Sequence, residues 1–219
     1  MKQANTQAPS GNSEAQSPAS FFPLDRFNAF SDGVLAIVIT LLVLELPVPP
    51  ADAPVLPLFS ENWVDFLGYF ISFAFVGGIW LSHASLTKGM KRGDTVTLRL
   101  NLALLLFVAL LPYTTHVMVL HMTGQDARAA VAIYGLNLFM AGLLLTVLLS
   151  HVARDRRLVV DDLADERISS AFRQRRMYLA VNAVAVIVGL LAPLVAVGAY
   201  VLLSVAFIIQ PLIGIWRKH

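Results

Sequence analysis

Long apolar runs separated by short polar segments make up most of the chain after residue 22. A helix needs about 20 largely apolar residues to cross the roughly 30 Å hydrocarbon core of a bilayer. The last run, residues 177–216, is about twice that length. Pro193 within it lacks a backbone donor and disfavours helix in the preceding residue, so we expect a break there. The pattern predicts six spans, over residues 27–46, 63–86, 98–121, 129–152, 174–191 and 194–216.

Residues 1–22 have a different composition, rich in Ser, Ala, Gln, Asn and Pro, with no apolar run before Phe21. Such a segment cannot bury enough apolar surface to order itself, so we predict a disordered cytoplasmic tail. It also lacks the apolar stretch of a signal peptide, and we therefore expect the first apolar helix to be retained. Residues 23–219 are predicted to form one six-helix transmembrane domain.

Composition supports a membrane protein, because 57% of the residues are hydrophobic and only 14% are charged. Soluble domains carry roughly a quarter charged residues, so this chain has too few to cover such a core in water. There are no cysteines, which excludes disulfides and thiolate metal sites. We predict an all-α membrane protein.

The distribution of basic residues predicts the orientation. Six spans place both termini on one side of the membrane, and cytoplasmic segments are enriched in Lys and Arg. With the termini inside, all of the 16 Lys and Arg residues except Arg128 fall in cytoplasmic segments. We therefore predict a multi-pass protein of the plasma or inner membrane with both termini in the cytoplasm. These residues mark the inner membrane face, so we expect no nucleic-acid partner.

The first outer loop, residues 47–62, is rich in proline, contains Asp52 and Glu61, and has no basic residue. Proline-rich segments are stiff and extended, and negative charge attracts cations. The composition is consistent with an acidic approach to an outer pore mouth, and equally with an ordinary solvated loop.

Several polar side chains fall inside the predicted spans, where each needs a partner or a function. They lie at a similar depth near the inner ends of the first three spans, and Trp80 shares a helix face with one of them at i, i+3. We expect a buried network that joins these helices, and simple locking of the helices is its plainest role. Its candidate members are Arg26, Ser31, Asp32, His83, Arg99 and Asn101.

The outer part of the first span is apolar except for Thr40 and Glu45. Ile37, Leu41 and Leu44 recur at i, i+4 and i+7 and so form one stripe, with Thr40 beside it. Such a stripe usually packs against other helices, and a pore lining is the alternative.

Motifs for catalysis, nucleotide binding and zinc hydrolysis are absent from the sequence, so we predict no enzyme, cofactor or bound metal. The Thr-Val-Gly-Tyr-Gly carbonyl filter of ordinary potassium channels is also missing.

The first span opens with Arg26, three residues, and then Phe30-Ser31-Asp32. This motif resembles the start of the first helix in the lysosomal potassium channel family, transmembrane protein 175, in its single-repeat bacterial form. Trp80-Leu-Ser-His83, Asn101 and Pro112 also resemble that family. The resemblance extends over about residues 24–216.

The resemblance implies a potassium-permeable channel, a homotetramer around a central pore lined by the first helix. It implies a constriction with Ile37 narrowest and Leu41 and Leu44 further out, and Thr40 at a hydroxyl position tied to selectivity in some members. Permeant species would be K⁺ and other monovalent cations. It also implies a polar network that holds the first helix, comprising Arg26, Phe30, Ser31, Asp32, Trp80, His83 and Asn101.

Two other functions remain open from the residues themselves. A proton-coupled or cation secondary transporter could use Asp32 and His83 as a relay, although both are predicted near the inner face rather than the midplane. The second is a non-conducting membrane scaffold.

Overall fold

The computed structural model describes residues 21–52, 54–155, 157–160 and 165–216. The regular elements in these ranges are α-helices: α1 Leu24–Val43, α2 Val55–Glu61, α3 Trp63–Lys88, α4 Thr95–Ala109, α5 Leu111–His121, α6 Ala127–Arg154, α7 Asp165–Leu191 and α8 Pro193–Trp216.

In the described part of the chain, 5 helical segments are long and apolar enough to cross a membrane. They are α1, α3, α4 with α5, α6, and α7 from Arg173 onward. In α8, the stretch Pro193–Ala206 is apolar but shorter than a span. The chain is thus an all-helical, multi-pass membrane protein, and the sixth span stays a prediction.

Pro193 and Pro112 lie where one helix ends and the next begins. The chain leaves α7 at Leu191 and begins α8 at Pro193, whose missing N–H costs nothing at a first helical position. Pro112 is the second residue of α5 and cannot donate to the carbonyl four residues earlier. The helix is accordingly interrupted at Leu110, between α4 and α5.

Helix α6 forms the centre of the bundle and packs against α4, α5, α7 and α8. Its inward side chains Tyr134, Leu138 and Leu145 are almost fully buried. The hydroxyl of Ser72 in α3 lies 2.7 Å from that of Thr115 in α5 and 2.9 Å from that of Tyr134. These bonds satisfy polar groups away from water and tie three helices together.

The first outer loop differs from the extended segment expected from its prolines. Residues 55–61 form helix α2, preceded by Pro54 in an extended conformation, with Pro57 in its first turn. Proline is accepted there because the first N–H groups of a helix have no intrahelical partner. The loop therefore contains a helical turn that proline content alone did not indicate.

Residues 1–20 of the predicted disordered tail lie outside the described residues. Phe21 and Phe22, which composition assigns to the tail, are packed: the backbone of Phe22 pairs with that of Gly93. Aromatic side chains carry large apolar surfaces, and the rings of Phe21 and Phe22 pack on Arg92 and Gly93 in the loop between α3 and α4.

Candidate functional site

Helix α1 has one covered face and one open face. Its buried residues are Phe27, Ser31, Leu35, Val38 and Leu42, which recur at steps of three and four and so share a side. That side packs against α3, α4 and α5. The opposite side of α1 is left uncovered along the whole helix.

The open face of α1 mixes large apolar, small and polar side chains. Ile37 is 59% exposed and Leu44 is 75% exposed. Thr40, between them in the chain, is exposed as well, and so are Asp32 and Gly33 one turn before Ile37. A carboxylate or a hydroxyl is costly against lipid tails. This composition is typical of a helix face that meets water or another subunit.

The outward faces of α7 and α8 provide the contrast. From Met177 onward, the large exposed side chains of these two helices are aliphatic or Met, as lipid contact favours. They are Met177, Val181, Val184, Ile187, Leu190, Leu191, Leu194, Val195, Leu202 and Val205.

The structure places all three residues of the predicted constriction, Ile37, Leu41 and Leu44, on the open face of α1. Thr40 is exposed beside them, and its hydroxyl donates to the carbonyl of Ile37 at 2.7 Å. That bond orients the hydroxyl oxygen, which keeps lone pairs free for a cation or water. The roles of these four residues in conduction stay predictions.

A buried hydrogen-bonded chain joins the N-terminal part of α1, the C-terminal part of α3 and the N-terminal half of α4. The Asn101 amide donates to the Ser31 hydroxyl at 2.8 Å, and that hydroxyl donates to the Phe27 carbonyl at 2.9 Å. The Asn101 oxygen lies 3.0 Å from Nε2 of His83, which must donate because the amide oxygen only accepts. The Phe27 ring stacks on His83 with centroids 5.4 Å apart.

Asp32 belongs to a second contact rather than to this chain. Its carboxylate accepts a hydrogen bond from the indole N–H of Trp80 at 3.0 Å, on the exposed side of α1 and α3. Asp32 and His83 therefore use different partners, which weakens a direct proton relay between them.

Arg26 and Phe30 are not part of the buried network in the structure. Both are exposed, Phe30 at 55%, and Arg99 on α4 is exposed as well. The reason is angular: Arg26, Phe30 and Ile37 share the open side of α1, about 100–140° around the helix from Ser31 by its periodicity. Depth along the helix groups Arg26 with Ser31, and the resemblance adds Phe30, but neither specifies the side of the helix.

One contact at the C-terminal end of α1 was not predicted. Glu45, just beyond the helix, pairs with Nδ1 of His116 in α5 at 2.9 Å. From the sequence, His116 is only part of a polar outer helix end. The two residues are far apart in the chain, so no spacing rule could connect them.

Another unpredicted contact lies at the start of α4, where Asp94 caps the helix. Its carboxylate accepts from the backbone N–H and the hydroxyl of Thr97 at 2.8 and 2.6 Å, and from His151 of α6 at 3.0 Å. Burial alone raises the pKa of Asp94, but the bonds from Thr97 and His151 outweigh it and lower the pKa below its usual value. An Asp directly before an apolar helix is a capping signal that the sequence does carry.

Within the described residues, no group of three or more His, Asp or Glu side chains converges to hold a metal ion. The geometry instead defines a class: a multi-pass helical membrane protein whose first helix keeps a partly polar face open along its length. A family model supplies the relationship, because the model described as endosomal/lysosomal potassium channel TMEM175 matches residues 26–112.

Individual relatives extend the match over most of the chain. A potassium channel of Chryseobacterium sp. is 32% identical over 191 residues, which cover 84% of this chain and 92% of the relative. The crystal structure of a lysosomal potassium-selective channel TMEM175 homolog from Chamaesiphon minutus superposes with a TM-score of 0.75 at 26% identity. That match covers 85% of this chain and 96% of that one. The chain belongs to the TMEM175 family.

A vertebrate member matches a shorter region. The bovine endosomal/lysosomal proton channel TMEM175 is 40% identical over 98 residues, which cover 40% of this chain and 20% of the bovine protein. Every predicted site residue lies between Arg26 and Asn101, inside the range that the family model matches.

Proposed function

We propose that this chain is the subunit of a potassium-permeable cation channel whose pore is lined by α1. The open face of α1 carries the proposal, because it is continuous, faces away from its own subunit and includes groups unsuited to lipid. Membership in a family of potassium channels supports the same function.

One chain supplies one such helix, and a single helix cannot enclose a pore. Several copies must therefore place their α1 faces around a common axis, and closed rotational symmetry is the usual arrangement of identical subunits. We propose a homotetramer, with the open faces of α1 meeting at the centre and the aliphatic faces of α7 and α8 toward lipid.

Ile37, Leu41 and Leu44 would form successive apolar rings, with Ile37 the narrowest. Apolar rings cannot replace the hydration shell of an ion, and they hinder passage by expelling water. Selectivity then depends on what polar groups lie beside them. The exposed hydroxyl of Thr40 is one such group, and we expect only a weak preference for K⁺ over Na⁺.

We further propose that the chain has six spans in the plasma or inner membrane. Both of its termini would then lie in the cytoplasm. Completion of a sixth span by α8 and the concentration of Lys and Arg in the predicted inner segments support this orientation. Asp52 and Glu61 would then face the outer mouth and raise the local cation concentration.

Reconstitution into liposomes tests the function. Purified protein in vesicles with a K⁺ gradient should produce a membrane potential near the K⁺ equilibrium value and a rapid flux that does not saturate. A flux that requires a second, coupled ion would instead identify a secondary transporter. Absence of any cation flux under every gradient would leave a non-conducting scaffold, and the proposal would fail.

Proton permeation is a second candidate, favoured by the match of part of this chain to a vertebrate proton channel. The same vesicles loaded with a pH-sensitive dye measure it directly. A proton flux that persists when K⁺ is replaced by an impermeant cation would support it, and an unchanged internal pH would exclude it.

A further inference from the structure

Three segments that are distant in the sequence meet at the inner end of the bundle. They are the residues just before α1, the loop between α3 and α4, and the connection from α6 to α7. We call their contact residues, Phe22, Met90, Arg92, Gly93 and Val159, the inner clasp.

The first side of the clasp attaches to the start of α1. The N–H of Phe22 donates to the Gly93 carbonyl at 3.0 Å, and the N–H of Gly93 donates to the Phe22 carbonyl at 3.3 Å. The Phe22 ring covers Gly93 so closely that a Cβ there would lie 2.5 Å from Cζ of the ring. Only Pro23 separates Phe22 from the first residue of α1.

The second side attaches to the connection after α6. Met90 and Val159 form an antiparallel pair, flanked by the bonds Lys91 N–H to Leu158 O at 2.8 Å and Val160 N–H to Gly89 O at 3.0 Å. Both side chains are buried, at 6% and 5% exposure. They belong to an apolar cluster with Leu148, Val152 and Leu158.

Arg92 joins the two sides. Its guanidinium lies 3.8 Å from the centroid of the Phe21 ring, and its Nε donates to the carbonyl of Arg157 at 3.2 Å. A guanidinium over an aromatic face is attractive. Residues before α1 and after α6 are therefore linked through one side chain as well as through two backbone pairs.

We propose that the inner clasp couples the α6–α7 connection to the position of the pore helix and holds the constriction near its narrowest width. This rests on the proposed function. Because α1 is a rigid helix, a restraint on its first residues also limits the movement of Ile37. A constriction of apolar side chains passes more ions when those side chains move away from the pore axis and water enters. Loosening the clasp should increase cation flux.

A reversible cross-link tests the coupling in one protein. The chain has no cysteine, so Met90→Cys with Val159→Cys introduces only one possible pair. The backbone hydrogen bonds lie on either side of the Met90–Val159 pair and do not join the two residues themselves. In such a pair the two Cα atoms are about 4.5 Å apart. That separation is within the range of about 4.4–6.8 Å that disulfides accept. We expect several-fold higher K⁺ flux in the reduced than in the oxidised protein, and no redox response in either single-cysteine variant. Equal flux in both redox states would overturn the proposal.

A glycine pair provides an independent test without a cross-link. Gly93→Ala displaces the Phe22 ring, whereas Gly77→Ala in α3 meets no atom within 4 Å. We expect flux to rise several-fold for Gly93→Ala only. A lower thermal midpoint with unchanged flux would make the clasp merely structural and overturn the proposal.

The rate of thiol labelling on α1 tests the effect of the inner clasp on this helix without measuring ion conduction. Asp25→Cys places a thiol on the exposed first turn of α1. Its reaction with a soluble maleimide should be faster in the Gly93→Ala background than in the Gly77→Ala background. Equal rates would contradict the coupling. If the wild type conducts no cations, the proposed function fails, and these rates alone decide whether the clasp moves α1.

Discussion

The side-chain amide of Asn101 in α4 donates to the hydroxyl of Ser31 in α1 at 2.8 Å, in a region where both residues are almost fully buried. The same amide accepts from His83 in α3. One short polar side chain thus connects three helices, and the helix that presents the open face is positioned by it.

Replacing Asn101 with Leu should destabilise the protein by about 1–3 kcal/mol, because His83 would lose its partner in a buried site. Thermal unfolding of the detergent-purified protein, followed by tryptophan fluorescence, measures the effect. Gln125→Leu, at an exposed loop position, is the control and should leave the midpoint almost unchanged. Equal midpoints for the two variants would show that the buried chain contributes nothing to stability.

Truncation of Ile37 to Ala should raise cation flux several-fold if Ile37 is the narrowest ring, because a smaller side chain widens and hydrates the constriction. Ile133→Ala is a matched control, since Ile133 is also an exposed isoleucine of a spanning helix. The exposed fraction of its side chain is 49%, against 59% for Ile37. Its flux should equal that of the wild type. A response of equal size in both variants would remove Ile37 from the constriction.

Gly135→Ala should destabilise the bundle by about 1–3 kcal/mol through overpacking. A Cβ at Gly135 would overlap the Tyr200 hydroxyl and lie 2.7 Å from the ring carbon that bears it. Gly198→Ala, in α8 with no atom within 4 Å of the new Cβ, should be neutral or slightly stabilising because alanine favours helix. Thermal midpoints compare them, and a neutral Gly135→Ala would mean that Tyr200 moves aside without cost.

Asp94 should make stability depend on pH at the acidic end. Its folded-state pKa is lowered, so its contribution is present above the unfolded value near 3.9 and is lost as pH falls through the folded pKa. Asp94→Asn removes the charge at every pH. We expect the wild type to be more stable than this variant at neutral pH, by about 1 kcal/mol or less.

The difference between wild type and Asp94→Asn should shrink as the pH falls below about 4. Asp126→Asn serves as the control, because Asp126 precedes α6 without a side-chain capping bond. It should show little effect at any pH in the same unfolding measurements. A wild-type advantage that persists unchanged in acid would mean that folding does not lower the pKa of Asp94.

Membrane character and the break before Pro193 were accessible from the sequence because they depend on local properties. Apolar length along one segment is sufficient to predict a span, and Pro193 disfavours helix in the residue directly before it. The motif from Arg26 to Asp32 carried the family relationship in the same way, since its residues are neighbours in the chain.

Contacts across the bundle were not accessible in this way. Residue depth along the helix placed Arg26, Ser31 and Asp32 in one layer, yet only Ser31 is buried. Which side of α1 is covered depends on how α3, α4 and α5 pack against it, and packing is decided by many weak contacts between remote residues. The extra helix α2 in the proline-rich loop was missed because proline content indicates stiffness without excluding a first helical turn.

The sequence by itself determined that this chain crosses a membrane repeatedly, which stretches are apolar enough to do so, and which family it resembles. Those properties depend on residues that are neighbours in the chain. Tertiary structure alone decided that α1 keeps a mixed polar and apolar face open, that Asn101 joins Ser31 to His83, and that Phe22 meets Gly93 at the inner end. Each of these depends on side chains brought together from distant parts of the chain, where the direction of a side chain matters as much as its depth.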